Sequence, residues 1–237
     1  MKFRPEEKIC VSLAGETSEE IINYLPVLRD AGAKLIELRL DFLRDKNYSA
    51  VLNAASKHDF IIISTVRNRT DGGVFSGSEN ERRKILLESA STATYVDIEY
   101  DTYVSEKMIT DELRSSGAKI LISKHFLQGS PRIDVLEKVL EEMKLVGDLF
   151  KIVTIPQNLF EATNLLSLYR YSWAEGKLVA FCMGEEWALT RILSVLMGAP
   201  FTYAHAGNSA VASGQLSFIE MKNELEKLSW MIEKWLS

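Results

Sequence analysis

The chain has 237 residues, of which 46% are hydrophobic, and a formal net charge of −5. That length supports a sizeable core without disulfides or metals. Acidic and basic residues are interspersed, so nothing concentrates positive charge as a nucleic-acid binder needs, and no apolar run approaches the roughly 20 residues of a membrane span.

The first eight residues, Met1 to Lys8, are polar and lack the apolar centre of a signal peptide. A β-rich run at Ile9–Leu13 follows, and then Ser18–Ala31, whose Ile21, Ile22, Leu25 and Leu28 share one helical face. The alternation continues to the end of the chain. Strands are predicted at Lys34–Leu40, Phe60–Val66, Tyr95–Tyr100, Lys119–His125, Phe150–Ile155, Leu178–Met183 and Phe201–Ala204. Helices are predicted at Ser49–Lys57, Glu79–Ser91, Val104–Ser115, Pro131–Val146, Asn158–Glu175, Glu186–Met197 and Ser217–Leu236. Eight strand-plus-helix units make the rhythm of an α/β protein, a (β/α)8 TIM barrel. A doubly wound open sheet is the competing fold, but it usually has fewer strands, and no Gly-rich fingerprint follows the first strand. With no linker or low-complexity stretch, a single domain over residues 1–237 is expected.

The last helix is well marked. Ser217 and Glu220 have capping-box spacing, and Phe218, Met221, Leu225, Leu228, Ile232 and Trp235 form a stripe. That stripe suits packing on the barrel, and Trp230 on another face leaves a subunit interface as the alternative. The two cysteines, Cys10 and Cys182, both fall in strands and read as small core residues. No disulfide framework is expected, and a reducing cytoplasm is the simplest home. No His, Cys or carboxylate spacing suggests a metal site.

Strands inside a ring of helices should be apolar on both faces, so ionisable residues within them are the informative departures. In Leu35-Ile36-Glu37-Leu38-Arg39-Leu40-Asp41 the three charged residues share one parity. The third strand runs into Arg67, followed by Asp71-Gly72-Gly73. In Tyr95-Val96-Asp97-Ile98-Glu99-Tyr100-Asp101 the carboxylates again share a parity, and the fifth strand ends Ser123-Lys124-His125. Charged groups thus gather toward the C-terminal ends of the strands, where such barrels build active sites. The ordinary alternative for each is a satisfied structural ion pair.

Lys151 is the most telling, since Phe150 and Ile152-Val153 surround it with apolar strand. An amine in such a setting has a depressed pKa and, once neutral, attacks carbonyls to form a Schiff base. His125 ends the strand before it and is suited to act as base and then acid. His58 lies in a polar segment, and His205 follows the last predicted strand.

In this order, these residues resemble type I 3-dehydroquinate dehydratase, the Schiff-base class of the shikimate pathway. The likeness rests on Glu37-Leu38-Arg39-Leu40-Asp41, Thr65-Val66-Arg67 with Gly72-Gly73, Ser123-Lys124-His125-Phe126 and Phe150-Lys151-Ile152. It continues in Met183-Gly184, Thr190-Arg191 and Gly214-Gln215. The resemblance implies a (β/α)8 barrel, a homodimer, and dehydration of 3-dehydroquinate to 3-dehydroshikimate with no cofactor. It implies that Lys151 forms an imine with the ring ketone and that His125 moves the protons. Asp71 stands where a glutamate helps position the histidine. Arg191 matches the carboxylate-binding arginine, Glu37, Arg39 and Arg67 match hydroxyl-binding positions, and Gln215 matches a loop glutamine. The sequence departs from the family pattern at Asp71, at Val211 in place of a serine, at Trp187 in place of a glycine, and at Thr190 in place of a serine. Ser213 or Ser209 is the candidate replacement for the loop serine. A class I aldolase would share Lys151 but would need a phosphate site near the last two strands. A non-catalytic barrel binding a carboxylate ligand has no use for such a lysine beside a histidine.

Overall fold

Strand and helix alternate through the computed structural model, which describes residues 3–207 and 212–235. The strands are β1 (Ile9–Leu13), β2 (Leu35–Arg39), β3 (Ile61–Thr65), β4 (Tyr95–Glu99), β5 (Lys119–Phe126), β6 (Leu149–Thr154), β7 (Leu178–Cys182) and β8 (Thr202–His205). The helices are α1 (Ser18–Asp30), α2 (Tyr48–Ala55), α3 (Glu79–Ala90), α4 (Tyr100–Ser105), α5 (Ile109–Ser115), α6 (Ile133–Met143), α7 (Leu159–Leu166), α8 (Leu189–Leu196) and α9 (Phe218–Trp235). Several helices start where the side chains dictate. Thr17 with Glu20, and Ser78 with Glu81, close reciprocal capping boxes at α1 and α3. Ser217 and Glu220 do the same before α9, as their spacing predicts.

All neighbouring strands are parallel and pair in the order β7-β6-β5-β4-β3-β2-β1-β8, giving the nearly closed (β/α)8 barrel that the alternation predicts. Among the described residues no ladder joins β7 to β8. At that seam the backbone of Ala180 donates to and accepts from the Tyr169 hydroxyl, at 2.7 and 3.1 Å. The Cys182 amide donates to Thr190 Oγ1 at 2.9 Å. Side chains therefore satisfy edge groups that a strand would otherwise take. The rings of Phe181 and Tyr203 meet across the seam, their centroids 5.9 Å apart.

Alternation splits the apolar residues into two layers. Outward residues such as Ile36, Leu38, Val96, Ile98, Ile122 and Ile152 pack against helix faces that include Ile21, Leu25, Leu113 and Leu140. Inward residues Cys10, Leu35, Ile63, Leu121, Leu149, Val179, Phe201 and Tyr203 plug the barrel. Polar inward residues begin above that plug. On adjacent strands, register pairs Ser123 with Lys151 and His125 with Val153, so His125 lies one inward step nearer the C-terminal mouth.

Some predicted elements are shorter or divided. β2 ends at Arg39, and a 3-10 turn over Leu40–Phe42 brings Asp41 back onto Arg39. Asp41 is thus a turn residue and not a third inward position of the strand. Likewise β4 stops at Glu99 and α4 begins at Tyr100, which sends Asp101 to Lys124 at 2.5 Å. The helix predicted over Val104–Ser115 is α4 and α5 with a turn between them, the Ile109 amide bonding Glu106. The one predicted over Asn158–Glu175 is α7 followed by 3-10 turns at Ser167–Arg170 and Ser172–Ala174, which carry Tyr169 to the β7 edge.

Candidate active site

Lys151 projects from β6 onto the top of the apolar plug and is only 5% exposed. Its Nζ lies 3.7 Å from Glu37 Oε1, 3.8 Å from Asp97 Oδ2 and 4.0 Å from the centroid of the Tyr203 ring. Burial pushes its pKa below the usual lysine value. Arg67 and Arg39 add to this, while the two carboxylates oppose it. Both carboxylates stand beyond hydrogen-bond length, so they compensate burial only in part.

The carboxylates are themselves held. Glu37 accepts from Ser12 Oγ at 2.7 Å and from Thr65 Oγ1 at 3.0 Å. Burial disfavours its charge, but Lys151, Arg39 and the Ser12 hydrogen bond outweigh burial and bring its pKa to about 2. Asp97 accepts from Arg67 Nη2 and from Ser123 Oγ, each at 2.5 Å. Arg67 also donates to Ser123 at 2.7 Å and pairs with Glu99 at 3.3 Å. Glu99 is shared with Arg82, which α3 buries at 2.7 Å from it. A buried charge is tolerable when its lone pairs and protons are matched in this way.

His125 lies near the mouth. Its Nδ1 is 3.8 Å from Asp71 Oδ1, and among the described residues neither buried atom has a hydrogen-bond partner. Burial, followed by the positive charges of Arg67 and Lys151, holds the imidazole well below its usual range, so it is neutral at pH 7. Asp71 sits in a 3-10 turn over Arg69–Asp71, where its amide donates to Asn68 Oδ1 at 2.8 Å. The turn closes tightly behind it. A Cβ on Gly73 would lie 2.1 Å from the Arg67 carbonyl oxygen, so only glycine fits there.

Arg191 enters from α8, 1% exposed, with its guanidinium 4.1 Å over the Phe181 ring. It donates to the carbonyls of Gly214 and Ser213 at 3.2 and 3.4 Å. Among the described residues no carboxylate pairs with it, and burial brings its pKa down to about 10. An arginine fork so placed suits an anionic ligand. Arg39 is different, since its Nε and Nη2 grip Asp41 at 2.9 and 2.8 Å. Gln215 Nε2 donates to Ser12 Oγ at 3.4 Å.

These groups line one cavity with about 610 Å³ of empty volume, part of it open to solvent. Glu37, Arg39, Arg67, Asp71, His125, Lys151, Arg191 and Gln215 all border it, so eight of the nine site residues predicted from sequence converge. Ser213 does not border it. Its side chain is exposed, and it contributes its carbonyl to Arg191. Ser209 and Val211 lie outside the described residues. The cavity also takes in Ser12, Val153, Phe181, Met183, Tyr203 and Ala212. Asp97 and Ser123, which hold Arg67, were legible as inward residues but not as parts of one network. Phe181 and Tyr203 carried no signal, because an aromatic residue in a barrel strand reads as core. Among the described residues no three His, Cys, Asp or Glu are grouped to hold a metal ion, and no helix is long and apolar enough to cross a membrane.

Fold and cavity together define a (β/α)8-barrel protein with its site at the C-terminal mouth. A model of the type I 3-dehydroquinase family matches residues 9–229. A 3-dehydroquinate dehydratase of Methanothermobacter thermautotrophicus is 32% identical over 209 residues, which covers 88% of this chain and 91% of that one. One from Dehalococcoides mccartyi strain CBDB1 is 35% identical over 211 residues, covering 85% and 90%. Among solved structures, the type I 3-dehydroquinate dehydratase of Clostridium difficile superposes with a TM-score of 0.84 at 24% identity, covering 96% of this chain and 94% of that one. The chain belongs to the type I 3-dehydroquinase family, whose members are hydro-lyases.

Proposed function

We propose that the chain converts 3-dehydroquinate to 3-dehydroshikimate and water through a Schiff base on Lys151, the third step of the shikimate pathway. The observation that carries this reading is a buried lysine of lowered pKa that shares one cavity with a neutral histidine and with an arginine that no carboxylate pairs with among the described residues. Arg191 takes the substrate carboxylate. Neutral Lys151 Nζ adds to the ring ketone, and loss of water leaves a protonated imine. The positive imine drains electrons from the neighbouring carbon and so acidifies its proton. His125 removes that proton, and an enamine forms. Protonated His125 then gives the proton to the departing ring hydroxyl, which leaves as water. Hydrolysis of the product imine restores Lys151. The lysine supplies the electron sink, so this reaction calls for no cofactor.

Asp71 acts on His125 by orienting its ring. Glu37, Arg39, Arg67 and Gln215 receive the ring hydroxyls, and Ser213 serves only through its carbonyl, which accepts from Arg191. The enzyme works as a homodimer in the cytoplasm, as the family resemblance implies. Its test is the appearance of the conjugated product in ultraviolet absorbance. Wild-type enzyme should turn over 3-dehydroquinate, and Lys151→Ala should not. Absence of dehydration by the wild type would contradict the proposal.

A further inference from the structure

Two of the four cations that line the cavity, Lys151 and Arg191, rest on aromatic rings that line it too. Lys151 Nζ is 4.0 Å from the centroid of Tyr203, and the Arg191 guanidinium carbon is 4.1 Å from that of Phe181. Those rings lie on neighbouring strands β7 and β8 and touch each other, 5.9 Å between centroids. Phe201 steadies Tyr203 from below, edge to face at 5.6 Å. Both rings are nearly buried, at 3% and 2% exposure. They meet where the backbone of β7 is satisfied by Tyr169 and Thr190, so side-chain contact crosses a seam that no ladder crosses among the described residues.

We propose that Phe181 and Tyr203 form a positioning platform, in which the Tyr203 face stabilises the cation on Lys151 and Phe181 fixes Arg191 at a set separation from it. The inference rests on the Schiff-base reading. An aromatic face attracts a cation through its quadrupole, most strongly where water is excluded. Burial moves resting Lys151 toward the neutral amine, so the ring matters most when the imine becomes charged. Tyr203 acts through its face and not as a base. Its phenol is pushed well above its usual range, chiefly by burial and then by Glu37, and its hydroxyl sits beside the Cys10 thiol without a hydrogen bond of proper geometry. Phe181 serves the other end of the substrate. Displacing Arg191 weakens carboxylate binding equally in ground and transition states, which raises KM and spares kcat.

The test replaces Tyr203 with phenylalanine and with its mono- and trifluorinated forms, which keep the ring's shape while draining its face of negative charge. The readout is the fraction of enzyme trapped as a reduced imine by borohydride at subsaturating 3-dehydroquinate. Tyr203→Phe should trap within about twofold of wild type, and trifluorination should lower trapping about tenfold, in step with fluorine number. Phe181→Leu should raise KM about tenfold with kcat nearly unchanged, and its thermal melt reports whether the fold is retained. Trapping that ignores fluorination, while wild type traps normally, overturns the platform and leaves the Schiff base standing. No trapping in wild type removes both. If Phe181→Leu melts as wild type does and leaves KM unmoved, its part in the platform falls.

Discussion

His125 Nδ1 and Asp71 Oδ1 face each other at 3.8 Å, both buried and neither hydrogen-bonded among the described residues. The gap exceeds a hydrogen bond by more than half an ångström. On the proposed reading, Asp71 orients the imidazole at longer range than a bonded carboxylate would. A side chain one methylene longer closes the distance. Asp71→Glu should keep or raise kcat, whereas Asp71→Ala should lower it about tenfold, less than the roughly 100-fold or more of a group that transfers the proton itself. Steady-state rates at saturating substrate check this, and an undiminished Asp71→Ala would remove Asp71 from the mechanism.

The pH dependence follows from the same histidine. His125 must be neutral to accept a proton, and burial with Arg67 and Lys151 holds its pKa well below 6.5. The limb that His125 gives to kcat/KM should therefore fall below pH 6.5. Lys151, whose pKa is lowered from 10.5, adds a rise of kcat/KM with pH that is centred below that value. A His125 limb of kcat/KM at the ordinary histidine value would contradict the lowered pKa.

Among the described residues no carboxylate neutralises Arg191, whose Nε and Nη2 meet only the Gly214 and Ser213 carbonyls, so its charge is left for a substrate carboxylate. Arg191→Gln should raise KM by about 10- to 100-fold, the worth of a charge-assisted hydrogen bond. Arg191→Lys should recover only part of this, because an ammonium lacks the planar fork. Unchanged KM in both variants would place the carboxylate elsewhere.

Glu37 links stability to acidity. Its folded pKa of about 2 lies below its unfolded value of 4.5, so its contribution is fully present above pH 4.5 and is lost as pH falls toward 2. The shift corresponds to about 3 kcal/mol at neutral pH, an order-of-magnitude figure. Urea unfolding of wild type and Glu37→Gln should differ most near neutrality and converge in acid. A difference that ignores pH would show that the Glu37 charge contributes nothing.

Much of this was written in the sequence. Strand periodicity placed Glu37, Arg67, His125 and Lys151 on inward positions near the mouth, because a barrel strand allows only two directions for a side chain. Asp41 and Asp101 misled the same rule. Parity holds only while the strand lasts, and β2 and β4 end on their last inward charges, Arg39 and Glu99, so the next residues of that parity fall in a turn and a helix. The 3.8 Å relation of Asp71 to His125 depends on a 3-10 turn with Gly72 in the left-handed region, at φ 81°, which no periodicity encodes. Tyr203 and Phe181 were hidden for another reason, since a buried ring looks the same whether it fills space or holds a cation.

The central claim is that Lys151 is the residue that carries the substrate. Borohydride added to enzyme turning over 3-dehydroquinate, followed by proteolysis and mass spectrometry of the peptides, tests it most directly. Ligand mass is expected on the peptide containing Lys151, and none there in the Lys151→Ala variant. Mass on a different lysine, or full activity without any trapped adduct, would contradict it.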